Sequence, residues 1–196
     1  MNTPDPSYHG AVWGTLVPEA LGAPIAYAIR ARVVLLRDLG SCMSPFNAFM
    51  FIQGLETLPL RMRQHCSNAE AVANYLSEHA QVERVIYPGF SEGEFRRRAD
   101  TYLKGGLGAL VGIELKGGRE AGERFINALK MLYHVANIGD ARSLAIHPAS
   151  TTHSQLVGDK LAATGVTESY VRLSIGIEHP DDIIADIAQA LDEAAA

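Results

Sequence analysis

The chain has 196 residues, a formal net charge of −5 and a hydrophobic fraction of 47%, so it can bury a sizeable core. The acidic balance argues against a nucleic-acid-binding surface, and the one basic run, Arg96–Arg98, lacks interleaved aromatic residues. No apolar stretch approaches the roughly eighteen residues of a membrane span, and the polar N-terminus lacks the features of a secretory signal. We therefore expect a cytoplasmic protein, in which the widely separated Cys42 and Cys66 remain reduced and bind no metal.

The first part of the chain predicts an arm followed by three helices. The arm is rich in proline and glycine, whereas the helices have apolar residues at helical spacing. Gly40 is predicted to end the first helix, Ser44 and Pro45 to begin the second, and Pro59 to interrupt it before the third. The predicted ranges are 1–17 for the arm, then 20–39, 44–58 and 60–79 for the helices.

Beyond residue 80 the pattern changes to short strands that alternate with helices. Strands are predicted within 82–90, 109–118, 132–136, 144–147 and 171–177, and helices over 120–129, 155–164 and 181–191. This mixture predicts an α+β domain with a mostly antiparallel sheet that is covered on one face by helices.

The last predicted strand carries the first candidate site residue, Arg172. Apolar side chains alternate with it along the strand and define its core face: Val171, Leu173, Ile175 and Ile177. Arg172 therefore lies on the opposite face, beside the small residues Ser174 and Gly176, where its five donors could bind an anion. An arginine in a strand can instead pair with a structural carboxylate, and that alternative remains open. The polar segments 137–140 and 147–153 are turn-rich and favour the site interpretation.

Other polar residues in these segments carry less chemistry. His147 and His153 are separated by a proline and match no common ligand spacing, so we interpret them as structural histidines rather than metal ligands. Asp140 is interpreted as a turn residue. The glycine pairs Gly105-Gly106 and Gly117-Gly118 match neither common phosphate-loop motif, so they are assigned no cofactor role.

Four long motifs resemble the Cys/Met-metabolism family of pyridoxal-phosphate (PLP) enzymes, the cystathionine gamma-synthase-like group, in its C-terminal half. They are SPFNAFMFIQGLETLPLRMRQHCSNAEAVANYL, VERVIYPG, FINALKMLYHVANIGDARSLAIHPASTTH and VRLSIGIEHPDDIIADIAQAL. The variants NIGDARSL and HPASTTH are most similar to the O-acetylhomoserine sulfhydrylases, since gamma-lyase relatives tend to carry Ser at position 137 and Met at position 151. The resemblance covers essentially the whole chain.

The resemblance implies a substrate-carboxylate site made by Arg172, the side chain of Asn137 and the backbone amide of Ile138. It also implies PLP as cofactor, and gamma-replacement of O-acetyl-L-homoserine by sulfide to give homocysteine, a step of methionine and cysteine metabolism. In that family, residues 1–58 would be an arm and helices from the end of the large domain. Residues 59–196 would be the C-terminal α+β domain of a fold-type I enzyme.

The resemblance also implies what this chain lacks. The family places its Schiff-base lysine, stacking tyrosine, phosphate-binding segment and pyridinium aspartate in the large domain, and none of the four lysines here has the family's Ser-x-Thr-Lys context. We therefore expect a truncated chain that holds no PLP covalently and is inactive alone. It would associate with itself or with a large-domain chain. The alternative is a non-catalytic oligomerisation or interaction module derived from the family, and a standalone amino-acid binder is a third possibility.

Overall fold

The computed structural model describes residues 1–195, which divide into two compact units, Met1–Gly54 and a second unit that begins at Leu55. The α-helices are α1 (Trp13–Leu21), α2 (Ala26–Arg30), α3 (Arg37–Leu39), α4 (Pro45–Glu56), α5 (Leu58–Ser77), α6 (Gly93–Tyr102), α7 (Gly118–Ala128), α8 (Asp159–Ala162) and α9 (Pro180–Ala195). The strands are β1 (Val82–Ile86), β2 (Leu110–Leu115), β3 (Tyr133–His134), β4 (Leu144–Ile146) and β5 (Tyr170–Ser174). No helix among residues 1–195 combines the length and apolar character that crossing a membrane requires.

The first unit is helical and has a small core of its own around Trp13, whose indole Nε1 donates a hydrogen bond to Asp5 Oδ2 at 2.8 Å. The prediction of an irregular arm over 1–17 is wrong beyond residue 12, because α1 begins at Trp13 and is buried on the Trp13 and Val17 side. The predicted helix over 20–39 begins only at Ala26, because Gly22 ends α1 in the left-handed conformation and a proline follows.

From Ala26 the chain is helical to Leu39, with a π-helical stretch at Ala31–Leu36 between α2 and α3. Gly40 ends this helix as predicted, at φ 67°. The predicted start of α4 is also confirmed, because Asn47 N donates to Ser44 Oγ at 3.2 Å. Every residue of α4 is at least partly exposed, although the helix is apolar around most of its circumference.

The second unit is built on a five-stranded sheet with strand order β1-β2-β5-β4-β3. The pairs β1/β2, β2/β5 and β5/β4 are antiparallel, whereas β3/β4 is parallel. The mixed α/β fold and mostly antiparallel sheet are therefore as predicted. The strand predicted over 171–177 ends at Ser174, and the helix predicted over 155–164 shrinks to α8, because Gly158 at φ 56° immediately precedes it.

Helices α5, α7 and α9 supply the apolar side chains that pack against one face of this sheet. From the sheet, Val111, Ile113, Val171 and Leu173 are fully buried in this core. Alternate residues of the same strands must therefore project from the other face. That second face is where the candidate site lies.

Candidate functional site

Arg172 lies in the middle of β5, with Gly112 of β2 and Ile146 of β4 as its paired residues. Its neighbours in sequence, Val171 and Leu173, are both fully buried in the core. The period-two pattern therefore puts Arg172 on the face away from the core, as its sequence context predicts. Gly112 adds no side chain beside it, and the Tyr170 ring occupies the space over that position.

The guanidinium of Arg172 is held from one side only. Its Nη2 donates to the backbone oxygen of Asn137 at 3.2 Å, whereas its Nε is buried without a hydrogen-bond partner. Within residues 1–195 no carboxylate approaches it to ion-pair distance, so the alternative of a structural acid partner is not met there. A buried donor without an acceptor is costly unless a ligand supplies one.

The turn that follows β3 brings Asn137 and Ile138 next to Arg172. Asn137 N donates to Val135 O at 3.0 Å, and Gly139 N donates to Ser174 Oγ at 3.3 Å. Within the described residues the backbone N–H of Ile138 makes no hydrogen bond, and the Ile138 side chain is 55% exposed. The three residues predicted for the site thus lie together, with a guanidinium and an unused amide donor among them.

A network that the sequence analysis missed fixes this turn to the end of β5. The carboxylate of Glu178 accepts from Ser143 N at 2.7 Å and from Ser143 Oγ at 2.9 Å. Ser143 Oγ in turn accepts from Gly176 N at 2.8 Å. Ser143 is fully buried, and Glu178 therefore couples the segment after the turn to the segment after Arg172. A carboxylate six residues after the arginine was the only signal in the sequence.

Helix α5 holds the same segment from the other side. Asn68 Nδ2 donates to the backbone oxygens of Gly176, at 3.0 Å, and Glu178, at 2.8 Å. The ring Nδ1 of His65 lies 2.6 Å from Ile175 O. Gly176 itself has no room for a side chain, because a Cβ there would overlap Glu178, Ala141 and Ser143. The backbone after Arg172 is thus held rigidly, which fixes the position from which the Arg172 side chain extends.

A cavity of about 470 Å³ opens on the other side of Arg172, between the sheet and α6. Its floor includes Gly112, Tyr170 and Arg172. The Tyr170 ring lies across Gly112, since a Cβ at 112 would approach Tyr170 Cε2 to 2.6 Å. Burial raises the pKa of Tyr170, although the nearby Arg172 charge opposes that shift. The second sheet face is therefore flanked by a helix, which the sequence analysis did not predict.

The remaining predicted polar residues lie elsewhere. His147 is fully buried, with Nδ1 2.8 Å from Ser150 Oγ and Nε2 2.8 Å from Glu168 O, and burial lowers its pKa. His153 Nδ1 lies 2.9 Å from Thr152 Oγ1. Among residues 1–195 no group of three or more His, Cys, Asp or Glu side chains could hold a metal ion.

Covalent attachment of PLP uses a lysine amine. In the part of the chain that the structure describes, no lysine lines the cavity beside Arg172. Lys116, for example, donates from Nζ to Ala80 O at 2.6 Å at the end of β2. What this site provides is donors for a carboxylate.

An arginine that projects from the sheet of a mixed α/β unit, with a donor left free beside a turn, is an arrangement that can bind a small carboxylate. A model of the Cys/Met metabolism PLP-dependent enzyme family matches residues 11–192. The chain therefore belongs to that family.

Relatives within the family extend well beyond the length of this chain. The chain is 51% identical over 193 residues to the O-acetyl-L-homoserine sulfhydrylase of Leptospira meyeri, covering 96% of this chain and 43% of that protein. It is 46% identical over 193 residues to the homocysteine synthase of Schizosaccharomyces pombe, covering 98% of this chain and 44% of that protein. The chain thus spans less than half the length of the curated relatives it matches.

A solved structure agrees with this assignment. The crystal structure of a Campylobacter jejuni protein assigned as an O-acetylhomoserine (thiol)-lyase, which contains a pyridoxyl-lysine monophosphate residue, superposes with a TM-score of 0.81 at 42% identity. The match covers 97% of this chain and 44% of that chain. The fold described above is therefore that of part of a PLP-dependent enzyme.

Proposed function

We propose that this chain supplies the substrate-carboxylate site of an O-acetylhomoserine sulfhydrylase, which replaces the γ-acetoxy group of O-acetyl-L-homoserine with sulfide to give homocysteine. The single observation that carries the proposal is the Arg172 guanidinium, which has no carboxylate partner within residues 1–195 and lies beside the Asn137 turn. The names of the Leptospira meyeri and Schizosaccharomyces pombe relatives support the choice of reaction.

The proposed roles follow from the donors of the three residues. Arg172 would pair with the α-carboxylate through its planar guanidinium, and the backbone N–H of Ile138 and the side-chain amide of Asn137 would complete the acceptor sites. Fixing the carboxylate on a rigid strand orients the amino acid's Cα–H bond, which converts binding energy into alignment. PLP, when bound, supplies the electron sink for loss of that proton.

We further propose that the cofactor is held by a part of the enzyme other than this chain, and that the chain alone has no turnover. Residues 1–58 would belong to the end of a large domain, and residues 59–196 would form the C-terminal α+β domain. The exposed apolar surface of α4, including Phe46 (69% exposed) and Phe51 (63%), supports this division, because an apolar helix of this kind is normally covered.

Complementation tests the proposal directly. The chain is purified alone and also co-expressed with the portion of the Leptospira meyeri relative that it does not match, and homocysteine formation from O-acetyl-L-homoserine and sulfide is measured with PLP present. We expect activity only from the pair, and we expect Arg172→Gln to lower kcat/KM by about 10- to 100-fold. Arg84→Gln is the matched control, since Arg84 lies on the edge strand β1 and pairs with Glu114. Turnover by the chain alone, or full activity of the Arg172 variant, would refute the proposal.

A second candidate function is a non-catalytic module that associates with itself or with a full-length relative. The exposed apolar residues of α4 favour it as well. Light scattering on the purified chain, alone and mixed with the Leptospira meyeri enzyme, distinguishes the two candidates. A module would give a stable oligomer or mixed complex without any activity in the complementation assay. A chain that remains monomeric and does not bind the relative would exclude the module.

A further inference from the structure

The cavity beside Arg172 has the size and lining of a small-molecule site. Its volume of about 470 Å³ falls within the range of roughly 300–1,000 Å³ that is typical of ligand pockets. Four aromatic side chains contribute to its walls: Tyr87, Phe95, Tyr102 and Tyr170. Phe95 and Tyr102 come from α6 and are 71% and 79% exposed. Such rings offer faces and edges to a flat apolar group.

The charged side chains that line this cavity are of one sign. Its lining includes the guanidinium groups of Arg98 and Arg172 and, among the described residues, no carboxylate. Arg98 Nε donates to Glu94 at 2.9 Å, which leaves Arg172 as the cation without an acid partner. The buried Nε of Arg172 also lacks an acceptor. An anionic group at the inner end of the cavity would satisfy that donor and balance the charge.

We propose that the cavity between α6 and the sheet is a binding site for an aromatic monocarboxylate, with the ring between Phe95 and Tyr102 and the carboxylate on Arg172. The site goes beyond the proposed function, with which it shares only Arg172. The Asn137 turn lies toward β4 and β3, whereas the cavity lies toward β1 and β2. Because one guanidinium would serve both ligands, an aromatic acid bound here competes with an amino-acid substrate for Arg172.

Calorimetric titration of the full chain with 3-phenylpropionate tests this site, with the neutral 3-phenylpropan-1-ol as the matched ligand. We expect the acid to bind at least tenfold more tightly than the alcohol, since only the acid can form the charge-assisted pair. Arg172→Gln should remove that preference, whereas Arg84→Gln, on the edge strand β1, should retain it. Equal binding of acid and alcohol to the wild-type chain would overturn the proposal.

Two wall variants keep the proposal testable even if Arg172→Gln disturbs the fold. Phe95→Ala and Tyr102→Ala truncate highly exposed rings and should each weaken 3-phenylpropionate binding severalfold while the circular dichroism spectrum stays unchanged. Tyr27→Ala, which removes an equally exposed tyrosine (79%) from the first unit, is their control and should have no effect. Unchanged affinity in both wall variants would refute the site.

A further variant separates this proposal from the proposed function. Asn137→Ala should leave 3-phenylpropionate affinity unchanged, yet lower the activity of the complemented enzyme. Loss of 3-phenylpropionate binding in Asn137→Ala would place the acid in the amino-acid site and overturn the cavity proposal. Absence of 3-phenylpropionate binding to the wild-type chain, together with an active complemented enzyme, would refute the cavity site alone.

Discussion

Replacing Ser143 by alanine tests the network that positions the candidate site. The substitution removes the Oγ atom that donates to Glu178 Oε2 at 2.9 Å and accepts from Gly176 N at 2.8 Å. Ser143 is fully buried, so water cannot readily replace either partner. A hydrogen bond to a charged group contributes about 1.5–3 kcal/mol, and an orphaned buried N–H costs about 1–3 kcal/mol. Allowing for the partly exposed Glu178 side chain, we expect a loss of about 3 kcal/mol in the free energy of unfolding.

The matched control is Ser174→Ala, which makes the same chemical change at a site that is also buried (2% exposed). Ser174 Oγ accepts one longer hydrogen bond, 3.3 Å from the exposed Gly139 N, so its loss should cost only about 0.5–1 kcal/mol. Urea unfolding followed by far-ultraviolet circular dichroism measures both values by linear extrapolation. Equal destabilisation by the two variants, within about 0.5 kcal/mol, would show that the Glu178 network adds nothing beyond an ordinary buried serine.

Three more predictions concern the second unit. Asp186→Ala should lower the free energy of unfolding in urea by about 3–5 kcal/mol, because the Asp186 carboxylate accepts hydrogen bonds from the backbone N–H groups of three consecutive residues at 2.8–2.9 Å. Asp181→Ala, at an exposed position, is the control and should change this free energy little. Burial lowers the pKa of His147 in the folded state, so its contribution to stability is fully present above about pH 6.5 and falls as the pH drops below that value. Replacing His147 by glutamine should therefore make the free energy of unfolding fall less steeply between about pH 7.5 and 5.5, and an unchanged slope would contradict this. Gly112→Ala should destabilise by about 1–3 kcal/mol in the same assay, because the new methyl group overlaps the Tyr170 ring, and a neutral result would mean that the ring moves freely.

Much of the second unit was predictable because its signals are local. Alternation along β5 was sufficient to place Arg172 away from the core, and the prolines and glycines at strand and helix ends gave most boundaries. Helix α9 followed from its apolar spacing and its acidic first turn, although it extends to Ala195 rather than ending near residue 191. These features depend on neighbours in sequence, so a single sequence carries them.

The features that the sequence did not predict depend on contacts between segments that are distant in the chain. Helix α1 was missed because its buried side, Trp13 and Val17, depends on contacts with Asp5 and with residues of α2. The position of α6 beside the second sheet face was missed because its sequence is strongly charged and typical of a solvated helix. Hydrogen bonds between distant segments have no periodicity in sequence, so propensities cannot predict them.

The Glu178 network shows why the site itself falls between these two cases. Arg172 could be named from its local pattern, since it is a guanidinium in a strand beside small residues, whereas Asn137 and Ile138 were named only through the family resemblance. The distances between these donors could not be predicted, because they depend on the hydrogen bonds between Glu178 and Ser143, which are 35 positions apart in the chain. Because folding already orders the backbone around Arg172, a ligand bound to this guanidinium would lose less conformational entropy on binding. The network is therefore expected to matter more for ligand affinity than its contribution to stability alone would indicate, and Ser143→Ala should lower the kcat/KM of the complemented enzyme more than Ser174→Ala does.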